Sequence, residues 1–248
     1  MAKVHYLAVA AAALAAGCTT DGVSGDSLIN QDVAMVSAEA AAQNVEIMRG
    51  PGGMHGFGFP ALRGKFECTG GDRFGLTATR TCVFKDVTGN VQTAFDELTT
   101  ASVAVHVEVN GSFGREGMTS AIDRTSDLLV TGLAGTETKM TWNGSGSGRS
   151  SRVKTRDGAT VQYDMTETEA TKNVVIPVPR TDTSWPLSGT ITHKVTVKFT
   201  GGDKAGTTET RDATITFDGT QFATVVVNGE TFQFDLAKRG RPGKGGRP

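Results

Sequence analysis

The sequence predicts a mainly β protein: a single antiparallel, meander-like sheet, curled or folded into a sandwich or open barrel, with one N-terminal amphipathic helix packed on it. From Lys65 onward, hydrophobic and polar residues alternate with period two, and turn-forming dipeptides separate the alternating segments. This pattern is typical of antiparallel strands with one buried and one solvated face. In only one segment, which lies before Lys65, do hydrophobic residues recur with helical spacing instead.

The helix is predicted over residues 27–49. Its stripe follows helical spacing through Ile29, Val33, Val36, Ala40, Gln43 and Ile47. Ser27 can cap the start, and Gly50-Pro51 ends the helix. A helix packed on the sheet is favoured over a membrane-surface helix, because the polar face has acids but no Lys or Arg before Arg49.

Residues 50–64 are rich in glycine and form a predicted connector. Their Gly-x-Gly pairs lack the G-x-G-x-x-G spacing of a phosphate-binding loop, and no strand precedes them. The aromatic residues Phe57 and Phe59 are expected to pack against the domain.

The β domain is predicted over residues 65–236, with about ten strands. The clearest alternation covers 102–109, 191–199, 214–217 and 232–236. Turns are predicted at Gly89-Asn90, Asn110-Gly111, Asp157-Gly158, Gly201-Gly202 and Asn228-Gly229. The last should join two strands as a two-residue type I′ hairpin, since both positions need positive φ. Solvated faces are expected to carry mostly Thr, Lys and Glu, which discourages edge-to-edge pairing.

Three cysteines occur, Cys18, Cys68 and Cys82. Cys68 and Cys82 are predicted to form a disulfide between neighbouring strands, which would stabilise the fold by about 3 kcal/mol in the chain-entropy model. Metal ligation by two cysteines without a suitable histidine cluster is a poor alternative.

The N-terminus has the features of an export signal. Lys3 precedes an apolar run from Tyr6 to Ala16, which is shorter than the ~20 residues of a membrane-spanning helix. Leu14-Ala15-Ala16-Gly17-Cys18 resembles the lipobox of bacterial lipoproteins, with Ala15 where that family usually has Leu. Ordinary signal peptidase is the alternative, because Ala13-Leu14-Ala15 fits its small-x-small rule.

The lipoprotein resemblance implies that residues 1–17 are removed and that Cys18 is lipidated. Two or three acyl chains would then hold the protein on a membrane. Thr19, rather than Asp, follows the cysteine, which implies outer-membrane retention. Residues 18–26 are short and polar and form a predicted flexible tether. Cysteine parity supports the resemblance, because lipidation of Cys18 leaves one pair.

Residues 237–248 form a basic tail that is predicted to be disordered. Its cations are Lys238, Arg239, Arg241, Lys244 and Arg247. Without these five the net charge falls from −1 to −6. The tail either serves solubility or contacts anionic envelope glycan or lipid head groups. Nucleic acid is not expected as a partner, because the chain is predicted to be exported.

No catalytic motif, cofactor or metal site is predicted. Gly144-Ser145-Gly146-Ser147-Gly148 has the wrong register for a nucleophile elbow. His106 and Glu108 share a strand face and could form half a metal site, but no third ligand is visible, so both are expected to be exposed polar residues. The same expectation holds for His193.

The leading functional hypothesis is a lipid-anchored cell-envelope protein with a non-enzymatic structural or binding role. The alternative is a carrier of a hydrophobic ligand, since an open sheet covered by one helix is the general plan of periplasmic lipoprotein carriers; this is an architectural analogy only. A hydrolase of envelope polymers is the third hypothesis, and it would need carboxylates that converge in one cleft.

Overall fold

A computed structural model describes the chain at residues 29–31, 33–38, 40–41, 45, 68, 71–73, 75–115, 118–156, 159–178, 184–202 and 204–238. The predicted signal peptide (1–17), tether (18–26) and connector (50–64) lie outside the described residues, and so do the cations Arg239, Arg241, Lys244 and Arg247 of the tail.

The described residues form eleven strands. In chain order these are β1 (Gly71–Arg73), β2 (Leu76–Asp86), β3 (Val91–Gln92), β4 (Thr100–Arg115), β5 (Met118–Thr131), β6 (Lys139–Arg156), β7 (Ala159–Pro177), β8 (Ser188–Gly201), β9 (Thr208–Thr216), β10 (Phe222–Val227) and β11 (Glu230–Asp235). Leu236–Lys238 then form a 3-10 turn, so the first residues of the predicted tail continue the ordered chain.

All strands belong to one antiparallel sheet. Ten of them follow one another in the order β1-β2-β4-β5-β6-β7-β8-β9-β10-β11, and β3 pairs with β2 beside this path. The prediction of an antiparallel meander of about ten strands is therefore confirmed. The expected curling or folding into a sandwich or open barrel is not found, because the strands form one uncurled sheet with β1 and β11 at opposite ends.

Three of the predicted turns are present. Asn228 and Gly229 have φ values of 46° and 87°, and Val227 pairs with Glu230 across them, as a type I′ hairpin requires. Gly89 and Gly202 also adopt positive φ in the connections that follow β2 and β8. Asp157 and Gly158 fall outside the described residues, between Arg156 and Ala159, which pair with each other.

The turn predicted at Asn110-Gly111 is wrong, because both residues lie inside β4. Gly111 pairs with Leu76 of β2 and with Ile122 of β5. A Cβ atom on Gly111 would lie 2.0 Å from the carbonyl oxygen of Gly75, and the backbone N–H of Ser112 donates to that same oxygen at 3.0 Å. The glycine therefore permits a close backbone approach, not a reversal of the chain.

One face of the sheet, called the core face below, carries the hydrophobic core. Its buried side chains alternate with exposed ones along the strands, as in β8 and β10. Trp142 of β6 is 1% exposed and lies between its partners Val130 of β5 and Val174 of β7. Burial on one face only explains the period-two pattern of the sequence.

The helix, α1, is described at 29–31, 33–38, 40–41 and 45. Ile29, Val33, Val36 and Ala40 of the predicted stripe are buried, and α1 shares one hydrophobic cluster with the core face. Arg211 of β9 adds a polar contact, because its Nε donates to Asn30 Oδ1 at 2.9 Å. Within the described residues, no helix has the length and hydropathy needed to cross a bilayer.

Candidate functional site

A group of buried charged side chains interrupts the apolar core face near the middle of the sheet. We call it the core cluster, and its members are Arg124 of β5, Arg152 of β6, Glu167 and Glu169 of β7, and His193 of β8. Apolar side chains flank it along the strands, with Met165 on one side and Val174 on the other. Buried charges are costly unless they are paired, so the geometry of the pairs decides what this cluster can do.

Glycines on β6 make the core cluster possible. Arg124 and Glu169 lie on strands that β6 separates, so their backbones are about 10 Å apart. Arg124 pairs with Gly148, and Gly146 pairs with Glu169. A Cβ atom on Gly148 would lie 2.9 Å from Glu167 Oε1 and 3.4 Å from Arg124 Cγ. The absence of side chains at Gly146 and Gly148 therefore leaves the space over β6 in which the side chains of β5 and β7 meet.

The Gly-Ser alternation over residues 144–148 follows from this arrangement. Its glycines lie on the core face, with Gly146 and Gly148 beneath the charged pairs and Gly144 opposite Leu128 and Thr171. Ser145 and Ser147 are exposed on the opposite face. Thr125 and Ser147 are hydrogen-bonded there, with their hydroxyl oxygens 3.2 Å apart. The structure thus explains the Gly-Ser alternation over residues 144–148, which does not match the register of a nucleophile elbow.

Arg124 holds both carboxylates of the core cluster. Its Nη2 lies 2.6 Å from Glu169 Oε2 and 3.3 Å from Glu167 Oε1. Thr171 Oγ1 donates to Glu169 Oε1 at 3.1 Å. The side chain of Glu169 is 0% exposed, so these donors replace the water that its carboxylate would otherwise bind.

His193 joins the cluster from β8. Its Nδ1 lies 3.2 Å from Glu167 Oε2, and its side chain is 0% exposed. The Nε2 atom is buried and has no hydrogen-bond partner among the residues that the structure describes. The sequence-based expectation of an exposed polar residue is therefore wrong, because His193 shares the phase of the buried residues Ile191 and Val195 on its strand.

The environment of Glu167 favours its ionised form. Burial by itself would raise the pKa of this carboxyl group. The charge of Arg124, the hydrogen bond from His193 and the charges of His193 and Arg152 outweigh burial and lower the pKa to about 2. Glu167 is therefore a carboxylate at neutral pH and serves as the anionic partner of the surrounding cations.

A second polar group lies on the same face at β9. Arg211 Nη2 is 2.6 Å from Glu209 Oε2, and Lys204 Nζ is 3.0 Å from Glu209 Oε1. The Lys204 ammonium also lies 5.6 Å from the ring centroid of Phe199. Because Arg211 also contacts Asn30 of α1, this group connects the helix to the sheet.

The opposite, solvated face carries a comparable group, which we call the surface cluster. His106 Nδ1 lies 2.7 Å from Asp127 Oδ1, and His106 Nε2 lies 3.4 Å from Glu108 Oε1. The hydrogen bond to Asp127, opposed by slight desolvation and helped by Glu108, raises the pKa of His106. All three side chains are more than 40% exposed.

The surface cluster corrects one detail of the sequence-based interpretation. Glu108 is exposed and His106 is half-exposed, in line with the expectation. A second acidic neighbour of His106 does exist, since Asp127 of β5 pairs directly with His106 of β4. Even so, within the described ranges no group of three His, Cys, Asp or Glu side chains could hold a metal ion.

The structure joins Cys68 to Cys82 in a disulfide, with Cα atoms 5.9 Å apart. Cys18 lies outside the described residues. Lys238, the first cation of the tail, belongs to the final 3-10 turn.

Sequence reasoning missed Arg124, Glu167 and Glu169. A signal was present in β7, where Glu167 and Glu169 are in phase with Tyr163 and Met165 along the strand and should therefore face the core. Both glutamates would have been assigned to the solvated face on residue type alone. Phase, not residue type, decides which face a strand residue occupies.

The carboxylates of the core cluster are already paired with a cation of the same cluster. Both carboxylates face Arg124, and a carboxyl group with a pKa near 2 is a poor proton donor or acceptor near neutral pH.

Comparison with family models, with curated proteins and with solved structures finds no match for this chain.

Proposed function

We propose that this chain is a lipid-anchored protein of the bacterial cell envelope with a non-enzymatic structural or binding role. The observation that carries the anchoring is the state of the cysteines. Because Cys68 and Cys82 are joined, Cys18 is left as the one cysteine outside the pair, at the position where the lipobox-like sequence places a lipid. Attachment of two or more acyl chains there would be effectively permanent.

The core cluster supports the non-enzymatic part of the proposal. A general acid or base that works near pH 7 needs a pKa near that value, whereas Arg124 and its neighbours lower the pKa of Glu167 to about 2. Glu169 is fully buried against Arg124. These carboxylates have the environment of structural ion pairs.

Anchoring is tested with the Cys18→Ala variant of the full-length chain in a diderm bacterium. We expect the wild type to fractionate with the membrane and its N-terminal peptide to carry the mass of acyl chains. Cys18→Ala should lose both properties, whereas the neighbouring control Thr19→Ala keeps the lipid. If Cys18→Ala stays in the membrane fraction, the anchoring proposal is wrong.

The basic tail suggests contact with anionic head groups or glycan once the domain is anchored. Phosphate and carboxylate contacts by several Lys and Arg side chains weaken as salt concentration rises. The anchor-free Cys18→Ala protein should therefore sediment with vesicles that contain anionic lipid at low salt, and less at high salt. Removal of residues 237–248 should abolish sedimentation, and unchanged binding of the truncated chain would contradict the proposal.

An open sheet covered by α1 also favours the carrier of a hydrophobic ligand as a second candidate. A carrier purified from its host should release a stoichiometric lipid on denaturation, detectable by mass spectrometry. It should also bind a fluorescent fatty acid in competition with that lipid. A chain that contains no lipid and does not bind the probe would exclude this candidate and leave the structural role.

A further inference from the structure

The dipeptide Asn-Gly occurs three times, and the structure places the copies in different environments. Asn110-Gly111 lies inside β4 and Asn143-Gly144 inside β6, whereas Asn228-Gly229 forms the exposed turn between β10 and β11. Asparagine is chemically labile, and most so before glycine, because a residue without a side chain leaves its backbone nitrogen open to approach. The fold therefore decides which of the three copies can react.

The reaction joins the asparagine side chain to the backbone of the glycine. The glycine nitrogen attacks the asparagine Cγ, the bond from Cγ to Nδ2 breaks, and Nδ2 leaves as ammonia together with the proton of the glycine amide. Water then opens the cyclic imide. Attack of water at Cγ gives aspartate, and attack at the backbone carbonyl carbon gives isoaspartate, in which the chain runs through Cγ. Water is the only co-reactant.

The two copies inside strands are held against this reaction. β4 lies between β2 and β5, and β6 lies between β5 and β7, so their backbone amides belong to hydrogen-bonded ladders. A Cβ atom on Gly111 or Gly144 would lie 2.0 or 2.2 Å from a carbonyl oxygen of the neighbouring chain segment. Asn143 Oδ1 also accepts a hydrogen bond from the backbone N–H of Asn173 at 2.8 Å. Neither glycine nitrogen can turn towards its asparagine unless the strand opens.

The copy in the turn lacks these restraints. Val227 pairs with Glu230, so the amide of Gly229 lies outside the ladder. Apart from its chain neighbours, no heavy atom of the described residues lies within 4 Å of a Cβ placed on Gly229. Asn228 contacts Asp212 through two long hydrogen bonds, 3.3 Å from its N–H to the carbonyl oxygen and 3.4 Å from the Asp212 N–H to its Oδ1. The turn can therefore rearrange while the strand pairs stay closed.

We propose that Asn228 is a site of spontaneous deamidation, and that its isoaspartate product loosens β11 from the sheet. Among the described strands, β11 pairs only with β10, and this turn closes the hairpin that the two form. Isoaspartate adds one carbon to the backbone of a turn that needs two residues of normal length, both with positive φ. The pair next to the turn, Val227 with Glu230, is the first to lose its register.

The first test compares the folded and the unfolded full chain. Both are incubated at mildly alkaline pH, the second in denaturing guanidinium chloride, and then digested with trypsin. Trypsin places the three dipeptides on separate peptides, 86–115, 140–149 and 212–238, in which fragmentation mass spectrometry locates the change.

In the folded chain, Asn228 should deamidate about tenfold faster than Asn110 and Asn143, or more, because a strand must open before either of these can react. In the denaturant the three rates should become similar, because the dipeptide is the same. Equal rates in the folded chain, or a slower rate at Asn228, would overturn the proposal.

The second test measures deuterium uptake of the incubated, folded protein. Uptake over 230–235 should rise severalfold and change little over β6 and β7. Asn228→Asp is the matched control: it has the charge of the product on a normal backbone, and aspartate accepts positive φ, so it should exchange like the wild type. Unchanged uptake over β11 in a sample rich in isoaspartate would refute the loosening. An equal rise in Asn228→Asp would also refute it, since charge rather than the added carbon would then be responsible.

Discussion

The core cluster and the surface cluster contain similar groups on opposite faces of one sheet. Each combines one histidine with two carboxylates: His193 contacts Glu167 in the core cluster, which also contains Glu169, and His106 contacts both Glu108 and Asp127. The surface cluster is exposed and lacks a guanidinium, whereas Arg124 holds both carboxylates of the core cluster at 2.6 and 3.3 Å. Burial therefore makes loss of a partner costly for stability in the core cluster, whereas the exposed pairs of the surface cluster contribute little to stability.

The largest expected effect is the loss of a carboxylate from the core cluster. Glu169→Ala leaves the buried guanidinium of Arg124 without its closest partner, and breaking a buried pair in this way costs about 3 kcal/mol or more. The matched change on the other face, Asp127→Ala, should cost less than about 1 kcal/mol. Urea unfolding of both variants measures the difference, and equal losses would show that burial does not separate the two clusters.

The second-largest effect is expected from acid, which should destabilise the protein by protonating Glu167 of the core cluster. The pKa of Glu167 falls from 4.5 to about 2 on folding, so the unfolded chain binds the proton more readily. The stabilisation is complete above pH 4.5, is lost as pH falls from 4.5 towards 2, and is on the order of 3 kcal/mol.

Stability measured against pH checks this expectation. Glu167→Gln should be less stable than the wild type at pH 7 and should show a smaller loss of stability between pH 4.5 and pH 2. A variant curve parallel to that of the wild type throughout this window would mean that Glu167 does not have the lowered pKa.

A smaller effect is expected from adding a side chain at a glycine on the core face of β6. A Cβ atom on Gly144 would lie 2.2 Å from the carbonyl oxygen of Asp127 and 2.9 Å from Leu128 Cα. The backbone must shift to admit it, and overpacking of this kind costs about 2 kcal/mol. Ser145→Ala, on the opposite face of the same strand, should change the free energy of unfolding by less than about 0.5 kcal/mol. Tolerance of Gly144→Ala would contradict the expectation that the close approach of the Asp127 carbonyl leaves no room for a side chain at this position.

The smallest effect concerns the surface cluster. The pKa of His106 is raised, chiefly by its hydrogen bond to Asp127, so its contribution to stability is complete below pH 6.5 and is lost as pH rises through the raised value. Because the pair is exposed, this contribution should stay below about 1 kcal/mol. In an NMR titration, Asp127→Asn should lower the pKa of His106. Thr79→Ala, which removes only the 3.2 Å hydrogen bond from Thr79 Oγ1 to Glu108, should change this pKa much less. Equal values in the wild type and Asp127→Asn would assign the shift to another group.

Two identical dipeptides show where sequence reasoning succeeds and where it stops. Asn228-Gly229 forms the predicted hairpin turn, with positive φ at both residues. Asn110-Gly111 lies inside β4, because the Gly75 carbonyl of the β1–β2 hairpin approaches Gly111 too closely for any side chain. The dipeptide is the same in both places, and the neighbouring strand decides whether its glycine forms a turn or permits a close backbone approach.

The sequence by itself determined the features that depend on local periodicity: the antiparallel meander of about ten strands, the helix with its buried stripe and the Asn228-Gly229 hairpin. Period-two alternation and turn chemistry act over a few residues, so they can be found in one sequence. The tertiary structure alone decided the core cluster. Arg124 and Glu169 are 45 positions apart and meet over Gly146 and Gly148, which the register of three strands places between them. Strand register is a long-range property, and no local pattern shows which side chains will face each other across a glycine.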